Sequence, residues 1–214
     1  GMNSPKVTPG TGAAFGGVIK SLCEKKIPTM CCTDGPSGIR MVSDAKCFSY
    51  PSATAIAATW NEEIAEEMYT HCGNELASYA VDMLLGPGTN IHRDPMCGRN
   101  FEYFSEDPLL AGKMCAAVTR GLENAGVSGV IKHFLANNQE QSRHDVDSVI
   151  SERAVREIYA FPFYIAVSES GVRGVMTSYN PVNGLWAAGN PDLTIGILRD
   201  DYGFDGFVMS DWWA

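Results

Sequence analysis

Short apolar runs alternate with longer amphipathic ones along all 214 residues of this chain. That rhythm leaves few folds open, because each apolar run has to be buried as a strand and the amphipathic runs supply the helices that cover it. The expectation is a series of βα units around a parallel sheet, five or six by the count of runs. Residues 27–33 read as the first strand, stopping at Asp34 in DGPSG, where two glycines and a proline enforce a turn. Residues 53–58 read as another strand. Thr59, with Glu62 three residues on, reads as a capping box that opens a helix with Ile64, Met68, Cys72 and Leu76 on one stripe.

Residues 81–85 give the next strand, which ends in Gly86-Pro87-Gly88 and a polar loop through Glu102. Ser105, Asp107 and Pro108 open a helix that runs to about Asn124 and stops at Gly126. Residues 127–131 make a strand ending at Lys132 and His133, followed by a loop rich in Asn and Gln. A helix then starts near Ser151, carries Ala154, Ile158, Phe161 and Ile165, and bends at Pro162. Residues 172–178 form a strand ending at Tyr179 and Asn180. Asn190-Pro191 caps a short helix to about Tyr202, and residues 206–210 form a last strand ending at Asp211.

These strands deliver polar residues at their C-terminal ends: Asp34, Lys132 with His133, Tyr179 and Asp211, with Arg99 in the loop after residues 81–85. In a parallel sheet all such ends lie on one rim, so residues far apart in sequence converge on one cleft. Singly, each has a plain structural role. Asp34 can form a turn, Arg99 can pair with Glu102 or Glu106, His133 can be a satisfied core histidine, and Tyr179 can be an aromatic at a loop start. Their shared position is what argues for a site.

A carboxylate, a guanidinium, an ammonium, an imidazole and a phenol offer donors and acceptors in many directions, which suits a polyhydroxylated ring better than an apolar ligand. A phosphate would ask for a Gly-rich loop opening a helix, and GPGTN has neither the dinucleotide nor the P-loop spacing. Asp211 stands apart because Trp212 and Trp213 follow it. An aromatic beside a sugar-facing carboxylate gives the CH face of a pyranose a flat apolar surface, although Trp beside an apolar strand also serves as core. A carboxylate so placed can attack an anomeric carbon, forming a covalent glycosyl-enzyme that water hydrolyses with retention. A lysine and an arginine nearby would hold it ionised. The mechanism also needs a second carboxyl group roughly 5–5.5 Å away. Glu102, Glu106 and Asp107 lie in a suitable loop, but their closeness to Arg93, Arg99 and a helix start assigns them to ion pairing and capping.

Composition removes other classes. Sixteen basic against 25 acidic residues give a formal net charge of −9, which argues against binding to nucleic acid or an anionic membrane. No apolar run approaches the roughly 18 residues of a membrane span. The seven cysteines (23, 31, 32, 47, 72, 97 and 115) are scattered, odd in number and partly inside apolar runs, so they are expected to be reduced thiols. Paired CxxC spacing is missing and the adjacent Cys31 and Cys32 point to opposite faces of a strand, so no metal and no cofactor is expected. With no charged-then-apolar leader before the first motif the chain as given is expected to be cytoplasmic, and Gly1 before Met2 reads as an expression scar.

The chain resembles glycoside hydrolase family 3, in its bacterial β-glucosidase branch. The stretches that carry the resemblance are TDGPSGIR (33–40), GPGTNIHRDPMCGRNFEYFSEDP (86–108), VIKHFLANNQE (130–140), SERAVREIY (151–159), VMTSYNPVNG (175–184) and LRDDYGFDGFVMSDWWA (198–214), which are spread from residue 33 to residue 214. The resemblance implies that Asp211, in SDW, is the nucleophile, that Asp34, Arg99, Lys132, His133 and Tyr179 hydrogen-bond a terminal glucose-like ring, and that Met176 and Trp212 line the same subsite. Arg40 and Arg143 take supporting positions. The N-acetylhexosaminidase branch is disfavoured, since there the lysine and histidine precede a Pro-Gly-His type loop and here Phe134 is followed by Leu-Ala-Asn-Asn.

The implied fold is an α/β, TIM-type (β/α) barrel, with about six of eight βα units present. Residues 1–214 would be one barrel domain, truncated at the C-terminus, with no second domain. In this family the acid/base is usually a glutamate on an α/β sandwich domain, which nothing in these residues resembles. The expected function is the glycone-binding, nucleophile-bearing part of a bacterial, retaining exo-β-glucosidase. It would act on a terminal β-D-glucosyl residue of a small β-glucoside or oligosaccharide, and the segment alone would be inactive. The alternative is a sugar-binding or assembly fragment without catalysis. A third reading makes Lys132 the Schiff-base lysine of an aldolase. The open edge of the sheet is expected to favour self-association, by exchange of βα units between copies.

Overall fold

The computed structural model describes residues 12–17, 19–41, 44 and 46–214, which build a half-barrel of the TIM type: a curved six-stranded sheet with helices on its outer face. The Gly1-Met2 dipeptide lies outside the described residues. In chain order the elements are β1 (Ala13–Gly16), α1 (Lys20–Glu24), β2 (Thr29–Asp34), α2 (Ala53–Ala57), α3 (Glu62–Ser78), β3 (Met83–Leu85) and α4 (Pro108–Asn124). They continue with β4 (Ser128–Phe134), α5 (Glu152–Ala154), α6 (Phe161–Ser170), β5 (Gly174–Thr177), the small hairpin β6 (Pro181–Val182) and β7 (Leu185–Trp186), and β8 (Phe207–Ser210). π-helical turns fill Val155–Tyr159 and Asp192–Asp201.

The large sheet runs β1-β2-β3-β4-β5-β8. From β2 onward every pairing is parallel, which sets the ends of β2, β3, β4, β5 and β8 on one rim as the apolar runs imply. β1 departs from expectation: it pairs antiparallel with β2, Ala13 opposite Cys32. Its four residues, AAFG, are too few and too small to register as an apolar run.

Side chains alternate across the sheet. Leu84, Ile131, Phe134, Val175 and Val208 face the helices, in the large outer core. Ala13, Cys32, Met83, Leu85, Val130 and Met176 face the barrel interior with Phe15, Phe207 and Met209. β4 breaks the alternation once, where its register against β5 shifts between Lys132 and Phe134. A bulge of this kind re-aims one side chain, and here it sends the neighbours Lys132 and His133 to the same side.

Three expected elements are corrected by the structure. Residues 53–58 are not a strand but the helix α2, whose N-terminus Ser52 caps by accepting from Ala55 N at 3.3 Å. Alanine is the strongest helix former and has little side chain to fill a sheet. The cap of α3 is Asn61, accepting from Ile64 N at 3.0 Å, not Thr59, whose hydroxyl instead donates to Ile56 O. The buried stripe runs through Ala65, Tyr69, Cys72, Gly73 and Leu76, with Ile64 exposed and Met68 only partly buried. The bend near Pro162 takes the form of the π-helical turn, with Pro162 in the first turn of α6, where its missing N–H leaves no gap in the ladder. Ile158 is exposed there and Val155 and Phe163 are buried in its stead. Asp107 caps α4 as expected, accepting from Leu110 N at 2.9 Å.

Buried thiols behave as small apolar side chains in this core, with burial pushing Cys72 and Cys115 up to about 12. The helices α3 and α4 approach closely because glycines stand at the crossing. A Cβ on Gly121 would run into the Glu66 carbonyl oxygen and stand 2.9 Å from Thr70 N. Gly121→Ala is therefore expected to destabilise the fold by about 1–3 kcal/mol, read as a lower midpoint in thermal unfolding. Gly196→Ala, where nothing lies within 4 Å, serves as the control, and equal midpoints for the two variants would refute this account of the crossing.

Candidate active site

The cleft lies at the C-terminal rim of the parallel strands, and its polar walls come from strand ends and the loops just beyond them. Asp34 closes β2 at the DGPSG turn, which is held from behind by the Tyr69 hydroxyl donating to Pro36 O. Lys132 and His133 sit side by side near the end of β4. Met176 belongs to the inner face of β5, with Tyr179 two residues past its end, and Asp211 follows β8 directly. Arg99 arrives from the loop between β3 and α4. All of these residues, with Trp212, Arg40 and Arg143, line one cavity of ≈ 520 Å³, a volume in the range of small-molecule sites. Trp213 is 81% exposed and does not join them.

Lys132 is almost fully buried and donates to Asp34 Oδ1 at 2.7 Å. The same oxygen accepts from Gly35 N at 3.0 Å. Burial alone would raise the Asp34 carboxyl, but the Lys132 ammonium, its hydrogen bond and the Gly35 amide outweigh that and hold it below its ordinary value. For Lys132 to act as a Schiff-base nucleophile it would have to give up this contact.

His133 is fully buried and met from three directions. Arg99 Nη2 lies 3.0 Å from its Nε2, and Tyr103 Oη and Asn90 Oδ1 lie 3.2 and 3.3 Å from its Nδ1. Burial, and then the charges of Arg99, Lys132 and Arg143, hold its imidazole well below the usual range, so it is neutral. Arg99 also donates through Nε to Glu102, whose carboxylate is nearly fully buried. The plain reading of Arg99 as a partner of Glu102 thus holds together with its place in the cleft, and Glu102 is committed to that pair.

Asp211 is 6% exposed. Its Oδ1 accepts from Trp212 N at 2.8 Å, and its Oδ2 lies 3.5 Å from His133 Nε2. Lys132 and Arg99 both act on the Asp211 carboxyl, but they are not the strongest influence on it. Burial is the largest influence and raises it, while Trp212 N–H, Lys132, Arg99 and Tyr179 each draw it back without cancelling that rise. Tyr179 in turn is pushed up to about 12, by burial first and then by the Asp211 charge. Its ring packs against two neighbours, with Arg143 Cζ 4.5 Å from the centroid and the His144 ring at 4.3 Å. Arg143 is itself anchored to Glu140 at 2.8 Å.

Sequence reasoning missed the residues behind these. Asn90, Tyr103, Asn137 and Glu140 form a buried or half-buried chain that backs His133 and leads round to Arg143, with Asn137 Nδ2 donating to Tyr103 Oη at 3.3 Å. The signal for them was the cluster of amides in GPGTN and LANNQE beside the aromatic-rich NFEYF.

The described residues contain no helix long and apolar enough to cross a membrane. Comparison with known proteins gives a consistent picture. The family profile described as "Glycosyl hydrolase family 3 N terminal domain" matches residues 17–214. A β-glucosidase of Ruminococcus albus is 61% identical over 214 residues, which is 100% of this chain and 23% of that protein. The crystal structure of a β-glucosidase from Paenibacillus barengoltzii superposes with a TM-score of 0.98 at 56% identity, covering 100% of this chain and 23% of the other. The structure of β-glucosidase 3B from Thermotoga neapolitana in complex with glucose gives 0.92 at 42% identity, covering 98% and 30%. The chain spans about a quarter of the length of the curated relatives it matches.

Proposed function

This chain belongs to glycosyl hydrolase family 3, and from that premise we propose that it is the glycone-binding, nucleophile-bearing part of a retaining exo-β-glucosidase that releases terminal β-D-glucosyl residues from small β-glucosides or oligosaccharides. The observation that carries this reading is Asp211, a buried cavity carboxylate that, among the described residues, has no lysine or arginine ion-paired to it, set in a wall rich in hydrogen-bonding groups. Its Oδ1 is engaged by Trp212 N–H, which leaves Oδ2 as the oxygen to form the bond to the anomeric carbon. The Asp34–Lys132 pair, Arg99, His133 and Tyr179 supply the acceptors and donors for the ring hydroxyls, and Met176 and Trp212 supply apolar surface. A solved relative carrying glucose supports a glucose-like occupant.

The leaving oxygen still needs a proton donor. Among the described residues the other cavity carboxylates, Asp34 and Glu102, are tied to Lys132 and Arg99, so the acid/base group is assigned to residues outside them. Residues 1–214 alone are accordingly expected to give no turnover.

The test is hydrolysis of an aryl β-glucoside by the full-length natural protein, with the first-formed anomer followed by NMR. β-Glucose is expected, and because the Asp211 carboxyl is raised, the acid limb of kcat/KM is expected above the ordinary aspartate value of about 3.9. α-Glucose as first product would remove Asp211 from the nucleophile role. Calorimetric binding of glucose with no hydrolysis would instead favour a sugar-binding protein without catalysis.

A further inference from the structure

We propose that Asn90 is a positioning residue that fixes His133 as the tautomer protonated on Nδ1, so that Nε2 enters the cleft as a hydrogen-bond acceptor and never as a proton donor. The inference rests on the glycosidase reading above and deepens it by stating which direction the hydrogen bond from His133 can take.

The argument starts from the Asn90 amide, whose orientation is set twice over. Its Oδ1 accepts from the His133 backbone N at 2.7 Å and its Nδ2 donates to the His133 backbone O at 2.9 Å. Turning the amide over would set NH2 against N–H and C=O against C=O, both repulsive, so the orientation is determined by the network. Asn90 is 2% exposed, so such a reversal would leave buried polar groups facing like groups. The oxygen so fixed is also the atom that faces His133 Nδ1, at 3.3 Å. A carbonyl oxygen cannot donate, so Nδ1 carries the hydrogen.

The other edge of the ring agrees. Arg99 Nη2, 3.0 Å from Nε2, has hydrogens and no lone pair, and it meets an acceptor only if Nε2 is bare. Tyr103, whose hydroxyl can donate or accept, follows the choice its neighbours impose. The 3.5 Å approach of Nε2 to Asp211 Oδ2 is then a contact between two acceptors and not an ion pair, the shorter Arg99 contact deciding the matter. His133 therefore offers no proton to Asp211 or to a leaving group. It can receive a hydrogen bond from a sugar hydroxyl, and the ring hydroxyl opposite it has to be oriented as donor.

The tautomer can be read without substrate from nitrogen-15 spectra of the full-length protein labelled at histidine, with His133 identified by subtraction of a His133→Gln sample. The expected result is one neutral form with the proton on Nδ1, and a proton on Nε2 overturns the proposal. In Asn90→Ala the Tyr103 hydroxyl becomes free to donate to Nδ1 and competes with Arg99, which still favours a bare Nε2, so a measurable fraction of the proton should move to Nε2 and KM for an aryl β-glucoside should rise roughly tenfold. Tyr103→Phe should leave the proton on Nδ1, and a shift to Nε2 in that variant, or an unshifted tautomer in Asn90→Ala, contradicts the role given to Asn90. Absence of β-glucoside turnover by the wild-type protein would instead fail the glycosidase reading, with the spectra unaffected.

Discussion

Asp211→Asn in the full-length natural protein is expected to lower turnover of an aryl β-glucoside by several orders of magnitude while leaving its thermal midpoint equal or higher. The two halves have one cause. An amide has the shape of the carboxylate and can keep the hydrogen bond from Trp212 N, but it has no charged oxygen with which to form a glycosyl ester. The stability half follows from the sign of the shift. Burial raises the folded-state carboxyl above its unfolded value, so the ionised form is disfavoured by folding, and this group costs stability once pH rises past the unfolded value of about 3.9. Removing the charge at neutral pH removes that cost. A near-normal rate would end the assignment of Asp211, and a rate loss accompanied by a large fall in midpoint would point to a structural role in its place.

Lys132→Met carries the second large effect, this time on stability and binding together. Lys132 is 3% exposed at its side chain and Asp34 33%, and their 2.7 Å contact joins β4 to β2 across β3. Methionine fills similar space and leaves Asp34 without its cation. The expected loss is about 2–4 kcal/mol, set toward the lower part of the range for a broken buried pair because Asp34 keeps a third of its side chain in solvent. The pH dependence supplies a check with a definite sign. Asp34 is held below its ordinary value when folded, so its contribution is present above the unfolded value of about 3.9 and disappears as pH falls through the lower folded one. Urea midpoints of wild type and variant should differ most near neutrality and converge in acid. A gap that stays constant from neutral to acid pH would mean that packing, and not the ion pair, accounts for the loss.

How legible all this was from sequence depended on where each residue stands. Asp34, Lys132, His133, Tyr179 and Asp211 could be collected in advance because parallel strands finish on one rim, a property of topology that needs no knowledge of contacts. Asn90 and Tyr103 could not. They sit in a loop without period, and their meaning depends on an edge of His133 lying 43 and 30 residues away. α2 was misjudged because a short alanine-rich run satisfies either periodicity until a cap decides it, and the cap, Ser52, lies outside the apolar run. The raised state of the Asp211 carboxyl was hidden for a different reason. The identities of nearby cations are visible in sequence, but the depth of burial that competes with them is not.

The shifted register of β4 has a consequence for how such a cleft can change over time. Two adjacent residues of one strand point the same way, so a cation and an imidazole are delivered by a single stretch of backbone and travel together. Neither can be relocated without dragging its neighbour, and Ile131 and Phe134 on the reverse side nail that stretch into the outer core. New ligand preferences on this scaffold are thus more easily reached through the loops carrying Arg99 and Arg143, which can be rebuilt while the β4 pair stays where it is.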